Sequence, residues 1–269
     1  MSDKSFGFIG VGNMSGAIIG GILNKGYIKP SNIYMYDKDD KKYGLWSKCG
    51  VQSLKSVPEL VDKCDFIFLC VKPQNSPEIL PLVAEKINSG KCVVSIMAGI
   101  AVDTISGALS GHKNIVRVMP NTPLLVGKGA AALVRSSGVT DEDFDTVSKI
   151  FSLAGEVVVV SEDKISAVTA ISGSGPAYFF KFANAAVEEA QALGLDEDIA
   201  LHLLAQTMAG SAKMLLESGK TPNELVRMVT SPGGTTKAAN DVFDECGYED
   251  IIKKAIKACN DRAIELGAN

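Results

Sequence analysis

Apolar residues in the first 160 or so positions come in short, nearly unbroken runs. Phe66–Val71 and Cys92–Met97 are the clearest, each flanked by polar or turn-forming residues. A strand with one wet face alternates, whereas a strand buried on both faces of a parallel sheet reads as a continuous apolar run. Further strands are predicted over Lys4–Gly10, Asn32–Tyr36, Ile115–Met119, Gly129–Arg135 and Glu156–Val160. Between them the spacing turns helical. Ser15–Lys25 carries Ala17, Ile18, Ile19, Ile22 and Leu23, and Gly26 closes it. Such alternation predicts an α/β domain over residues 1–160, a doubly wound parallel sheet with helices on both faces.

The pattern changes near Ser161. Strand-like runs stop, and every long segment over 161–269 has helical spacing. Helices are predicted over Pro176–Leu193 and Asp196–Ser218, with Gly194 and Gly219 as their stops. Thr221-Pro222-Asn223-Glu224 reads as a capping box with proline in the first turn. Further helices start near Thr235 and run from Tyr248 to Leu266. Ala183, Ala186, Ala190, Ala205, Ala209 and Ala212 put small residues on helix faces. Two readings stay open for them: an ordinary helical core, or a bundle shared between subunits.

Composition narrows the function. Lys and Arg total 27 against 31 Asp and Glu, a net charge of −4, which argues against a nucleic-acid or anionic-membrane surface. No unbroken apolar run approaches the roughly 18 residues of a spanning segment. The start, Met1-Ser2-Asp3-Lys4-Ser5, has no signal or transit-peptide pattern, so a cytoplasmic location is expected. The six cysteines form no Cys-x-x-Cys pair and read as buried reduced thiols. Only two histidines are present, so no metal site is expected, and a Ser-His-Asp hydrolase has little support. His112 is expected in a solvated loop and His202 on a helix.

Chemistry is concentrated in glycine motifs. The first strand runs into Gly10-Val11-Gly12-Asn13-Met14-Ser15, a helix follows, and Asp37 ends the next strand. Gly10 allows a tight turn, Gly12 lets backbone approach a pyrophosphate, and the helix start supplies free N–H groups. This is a dinucleotide-binding fingerprint in its proper context. A carboxylate at Asp37 can accept hydrogen bonds from the adenosine ribose and repels a 2′-phosphate, which favours NADH. Lys38, Lys41 and Lys42 can neutralise a phosphate and pull toward NADPH. Cys70-Val71-Lys72-Pro73, Ser95-Ile96-Met97-Ala98-Gly99 and Met119-Pro120-Asn121-Thr122-Pro123 end later strands on the same sheet edge. In the helical half, Ser172-Gly173-Ser174-Gly175-Pro176 and Ser231-Pro232-Gly233-Gly234-Thr235-Thr236 each precede a helix. The second has the makings of an anion nest sized for a carboxylate.

Taken in order, "FIGVGNM", "VKPQ", "MPNTP", "AVTAISGSGPAY" and "SPGGTT" resemble pyrroline-5-carboxylate reductases from end to end. The resemblance implies a Rossmann domain, a helical dimerisation domain, and NAD(P)H reduction of 1-pyrroline-5-carboxylate to L-proline, the last step of proline biosynthesis. It implies a homodimer or a larger homo-oligomer of dimers. It places cofactor contacts at Ile9, Gly10, Val11, Gly12, Asn13, Met14, Asp37, Cys70, Val71, Lys72, Pro73, Ile96, Met97 and Ala98. Substrate contacts fall at Glu162, Thr235 and Thr236, with the Gly233 and Gly234 backbone nearby. The chain departs from the family pattern at Ser15, Met97 and Ser166, where Gly or Ala, Ala, and Asp are common.

Reduction of a cyclic imine asks mainly for positioning, plus a proton for the imine nitrogen. Thr236 is the available hydroxyl donor, and the resemblance points to it too. Protonation from solvent is the competing account. Other readings are another two-domain imine or β-hydroxyacid oxidoreductase, and a non-catalytic dinucleotide sensor. The first of these generally carries a Lys or Asp motif in the helical domain. Lys181 and Lys213 sit in no such motif. The second does not need "SPGGTT".

Overall fold

The apolar runs form the middle of an eight-stranded sheet in the computed structural model, which describes residues 4–268. The leading Met1–Asp3, read above as free of a signal pattern, lie outside the described residues. The strands are β1 (Phe6–Ile9), β2 (Ile33–Tyr36), β3 (Gln52–Ser53), β4 (Phe66–Leu69), β5 (Cys92–Ser95), β6 (Ile115–Pro120), β7 (Gly129–Arg135) and β8 (Gly155–Val159). Their spatial order is β3-β2-β1-β4-β5-β6-β7-β8. Neighbouring pairs from β3 to β6 are parallel, β6 and β7 are antiparallel, and β7 and β8 are parallel again. The expected parallel sheet is thus present, extended by two strands of reversed direction.

Helices α1 (Asn13–Asn24), α2 (Gly44–Lys48), α3 (Val57–Lys63), α4 (Ser76–Ala84), α5 (Val102–Ala108) and α6 (Asp141–Ser152) connect the strands. Alternate residues of one strand serve opposite faces. Phe6, Phe8, Phe66 and Phe68 turn to the face covered by Ile18, Ile19 and Ile22 of α1. Register sets Phe6 against Phe66 and Phe8 against Phe68, and the ring pairs stack with centroids 5.0 and 4.5 Å apart. Ile9, Ile67 and Leu69 turn to the other face, against Leu60 of α3, Leu80 and Val83 of α4 and Ile105 of α5. Burial of each such side chain contributes about 1.5–3 kcal/mol.

The remaining helices are α7 (Ile165–Val168), α8 (Gly175–Ala192), α9 (Glu197–Glu217), α10 (Pro222–Met228), α11 (Thr235–Glu245) and α12 (Tyr248–Ala268). The chain divides into two compact units: residues through Ser174 together with those from Cys259 onward, and Gly175–Ala258. The first unit therefore reaches past residue 160. The physical reason is packing: Ile165 of α7 is buried with Ala132 and Val134 of β7. After α7 the chain winds as a π-helical turn over Thr169–Gly173, closed by the Ser174 amide donating to the Thr169 carbonyl at 2.8 Å. In the second unit the capping box at Thr221 and Glu224 forms as expected. Among its described residues only Gly175 and Ala200 are buried.

Two smaller expectations change. All six cysteines are free, but Cys49 and Cys246 are exposed. Burial pushes the Cys64 thiol up to about 12, which suits an inert core residue. His112 lies in a loop but is half-buried, which lowers its pKa.

Candidate active site

Three strand ends and a turn meet along the carboxyl edge of the parallel sheet. Ile9 is buried in β1, and the chain then turns at Gly10, whose φ is +96°. A Cβ there would lie 2.8 Å from the Cys70 carbonyl carbon and oxygen, so only glycine lets β1 pass the end of β4. The Gly10 amide donates to the Tyr36 carbonyl, and the Cys70 amide to that of Ile9, both at 2.8 Å. These bonds tie the ends of β1, β2 and β4 together. Gly12 stands as N-cap of α1, with no side chain capping the helix and no acid in its first turn. A Cβ on Gly12 would meet nothing within 4 Å. Open space over an uncapped helix start fits a pyrophosphate. Ser15, in the third fingerprint position, is buried and donates its hydroxyl to the Gly12 carbonyl at 2.9 Å, so the departure is accommodated without an unpaired group.

The other residues expected on the cofactor side lie along the same edge. Cys70–Pro73 follow β4 and Ile96–Ala98 follow β5. Met97 points into the core and is 2% exposed, whereas Ala98 is exposed. Desolvation pushes the Cys70 thiol up, which keeps it protonated. The end of α12 reaches this edge as well. At Gly99, where φ is +75°, a Cβ would lie 3.1 Å from the Leu266 carbonyl oxygen.

Asp37, expected to accept from a ribose, already accepts from its own chain. Its Oδ2 accepts from the Val11 amide at 2.7 Å and its Oδ1 from the Asp39 amide at 2.9 Å. Lys42 Nζ donates to both oxygens, at 3.1 and 3.0 Å. Burial pushes this carboxyl up, but the Asp39 and Val11 amides and the Lys42 ammonium together outweigh it and hold the pKa below its ordinary value. Tyr43 clamps the same residue: its hydroxyl donates to the Asp37 carbonyl at 2.6 Å and accepts from the Asp37 amide at 2.8 Å.

Glu162 lies in the first unit, just after β8. Arg117 of β6 donates Nη1 to Glu162 Oε1 at 2.6 Å, and the Val102 amide donates to the same oxygen at 3.1 Å. Glu162 Oε2 is buried and unpartnered. The carboxylate thus sits at the start of α5, where a helix favours an anion. Asn121, from "MPNTP", donates Nδ2 to Ser172 Oγ at 3.2 Å and accepts from the Ala130 amide at 2.8 Å. It joins the end of β6 to the π-helical turn. Neither Arg117 nor the Asn121–Ser172 link is signalled by spacing, because each pairs residues at least 45 positions apart.

In the second unit, Ser231–Gly234 form the turn before α11. Gly233 has φ +71°, and Gly234 is the N-cap with no side chain capping the helix and no acid in its first turn. Thr235 and Thr236 are the first two residues of α11, exposed and half-buried respectively. Apart from the Gly234 amide, which donates to the Ser231 carbonyl at 3.1 Å, the backbone donors at this end are therefore open to an anion. Among the described residues no group of three or more His, Cys, Asp or Glu is arranged to hold a metal.

A family model described as pyrroline-5-carboxylate reductase dimerisation matches residues 162–266, and one described as NADP oxidoreductase coenzyme F420-dependent matches residues 5–99. The chain is 38% identical to the pyrroline-5-carboxylate reductase of Escherichia coli K12 over 265 residues, 98% of each chain. Among solved structures it resembles a pyrroline-5-carboxylate reductase from Coxiella burnetii, at 33% identity, TM-score 0.89 and coverage of 98% and 99%. It also resembles the Plasmodium falciparum pyrroline carboxylate reductase solved with NADP bound, at 29% identity, TM-score 0.90 and 99% of both chains.

Proposed function

Given that this chain belongs to the pyrroline-5-carboxylate reductase family, we propose that its two units carry separate parts of one reaction. The reaction is the reduction of 1-pyrroline-5-carboxylate to L-proline, with NAD(P)H supplying the hydride. The other two-domain oxidoreductase and sensor readings are not favoured by these relatives. The cofactor groove is built by Ile9–Met14, Asp37, Cys70–Pro73 and Ile96–Ala98. What supports this is the open, uncapped start of α1 beside a turn that only glycine can make.

The imino-acid carboxylate is held by backbone N–H groups over Gly233–Thr236, and the Thr236 hydroxyl faces the imine nitrogen. The observation that carries this assignment is the uncapped, acid-free start of α11 behind Gly233 and Gly234. A carboxylate on those amides leaves a hydroxyl free to donate elsewhere. Thr236→Ala should keep cofactor binding and lower kcat about 10²–10⁴-fold if Thr236 delivers the proton. The loss should be about tenfold if the hydroxyl only holds the nitrogen. Thr236→Ser should retain most activity in either case. Wild-type kcat in a folded Thr236→Ala would remove Thr236 from the mechanism and favour protonation of the substrate by solvent. Glu162 is assigned to the substrate by resemblance alone, and its bonds to Arg117 and Val102 support a positioning role instead.

The working form is a homodimer or a homo-oligomer of dimers. Phe179, Phe180 and Leu216 are 60%, 67% and 82% exposed in the single chain, and a unit with almost no buried residues needs a covering surface. By length and composition α9 is the one described helix apolar enough to cross a membrane. The dimerisation model spanning 162–266 supports reading that surface as a subunit contact.

A further inference from the structure

We propose that Lys42 determines cofactor specificity: it closes the Asp37 carboxylate to the ribose diol of NADH and supplies a cation to the 2′-phosphate of NADPH. The proposal rests on reading the β1–β2 edge as the adenosine side of the cofactor groove.

A carboxylate at the end of β2 reads a ribose only if it has lone pairs to offer. An ionised Asp offers about four acceptor sites. At Asp37 four donor contacts meet them, two on each oxygen: the Val11 amide and Lys42 on Oδ2, the Asp39 amide and Lys42 on Oδ1. The side chain is only 7% exposed. A ribose hydroxyl that sought this acceptor would have to displace a donor. The two amides cannot leave, because one belongs to the glycine turn and the other to the turn that Asp37 itself starts. Lys42, with 43% of its side chain exposed, is the donor that can move.

Charge follows the same logic. A bare carboxylate beside the ribose would repel a 2′-phosphate, but here the ammonium lies 3.0 Å from it and balances it. Lysine carries three donors. Two are spent on Asp37, and the third remains for a guest. A phosphate oxygen takes such a proton in a charge-assisted bond, stronger than the bond a neutral hydroxyl accepts. The backbone of Lys42 is kept in place by its neighbour. It sits in the short 3₁₀ turn Asp40–Tyr43, and Tyr43 bonds both backbone groups of Asp37. Of the other acids in this stretch, Asp39 turns its carboxylate to the Lys41 amide at 3.2 Å. Asp37 therefore organises the glycine turn, and the discrimination passes to Lys42.

Isothermal titration of the full-length protein at fixed ionic strength tests this, with adenosine 2′,5′-bisphosphate and 5′-AMP as probes. Steady-state kcat/KM for NADPH and NADH is measured alongside. Wild type should bind the bisphosphate more tightly than AMP. Lys42→Met should lower that preference, and the NADPH/NADH ratio of kcat/KM with it, by about fivefold or more, the worth of one hydrogen bond between charged groups discounted for solvent exposure. Lys42→Arg should keep most of the preference. A Lys42→Met change of less than fivefold, or equal binding of the two probes by wild type, overturns the assignment to Lys42 and leaves the groove itself standing. If folded wild type binds neither probe, the reading of the groove falls and the proposal with it. Thermal melts of each variant show that the comparison is between folded proteins.

Discussion

Glu162→Ala tests whether that carboxylate supports the fold or the substrate. Removing it leaves two groups without partners. Arg117, with its side chain 9% exposed, loses its counter-charge at 2.6 Å, and the Val102 amide loses its acceptor at the start of α5. Breaking a fully buried pair costs about 3–5 kcal/mol. Glu162 is 37% exposed, so water recovers part of the loss. The discounted cost is about 2–3 kcal/mol, or roughly 4–12 °C in melting temperature for a chain of this size. The double variant Arg117→Met, Glu162→Met removes both charges and should lose less than Glu162→Ala alone, because no unpaired guanidinium remains buried. Urea unfolding and melting curves at one protein concentration provide the values, since assembly shifts both. KM for the imino acid is the second readout. An unchanged melting temperature with a KM raised tenfold or more would refute the positioning role and return Glu162 to the substrate.

Gly10→Ala and Gly12→Ala should behave differently although both belong to one motif. The first drives a Cβ to 2.8 Å from the Cys70 carbonyl at positive φ and should cost at least about 2 kcal/mol, seen as a lowered melting temperature. The second points into open space and should melt close to wild type while calorimetry shows weaker cofactor binding. The Asp37 carboxyl is held below its ordinary value of 3.8, so its ionised form stabilises the fold above that pH, and the support is lost as pH falls through the lower folded value. Asp37→Asn should therefore unfold at lower urea than wild type at pH 7, and the gap should close as the medium is taken below about pH 4. Phe180→Glu puts a charge on the exposed apolar surface of α8. It should dissociate the assembly in light scattering, and an intact dimer with wild-type melting would count against that surface as the contact.

The sheet was legible because its strands bury both faces. Phe66–Leu69 and Cys92–Ser95 carry apolar side chains at nearly every position, and every position in them is buried. β3 left no trace. Gln52 and Ser53 are both exposed, and the strand exists through its backbone pairing with Tyr34 and Met35. The reversed direction of β7 was also hidden, since apolar content carries no sign of strand polarity. Among the site residues, the glycine turn was readable because sterics at Gly10 leave one choice. Lys38, Lys41 and Lys42 offer cations for a phosphate without distinction in the sequence, and the seat of Lys42 on Asp37 depends on the 3₁₀ turn folding back. Arg117 could not be matched to Glu162, because an ion pair across 45 positions has no periodicity.

The packing of Leu266 against Gly99 has a consequence for synthesis. A ribosome releases the chain from its amino end, so the strands through β5 emerge early and can begin to pair while translation continues. The Ile96–Gly99 loop is different, because the backbone it rests on is made much later. The edge that carries this loop is therefore finished only when the far end of α12 has emerged and returned to it. A nascent chain stalled within α12 would hold a formed sheet with this loop still uncovered.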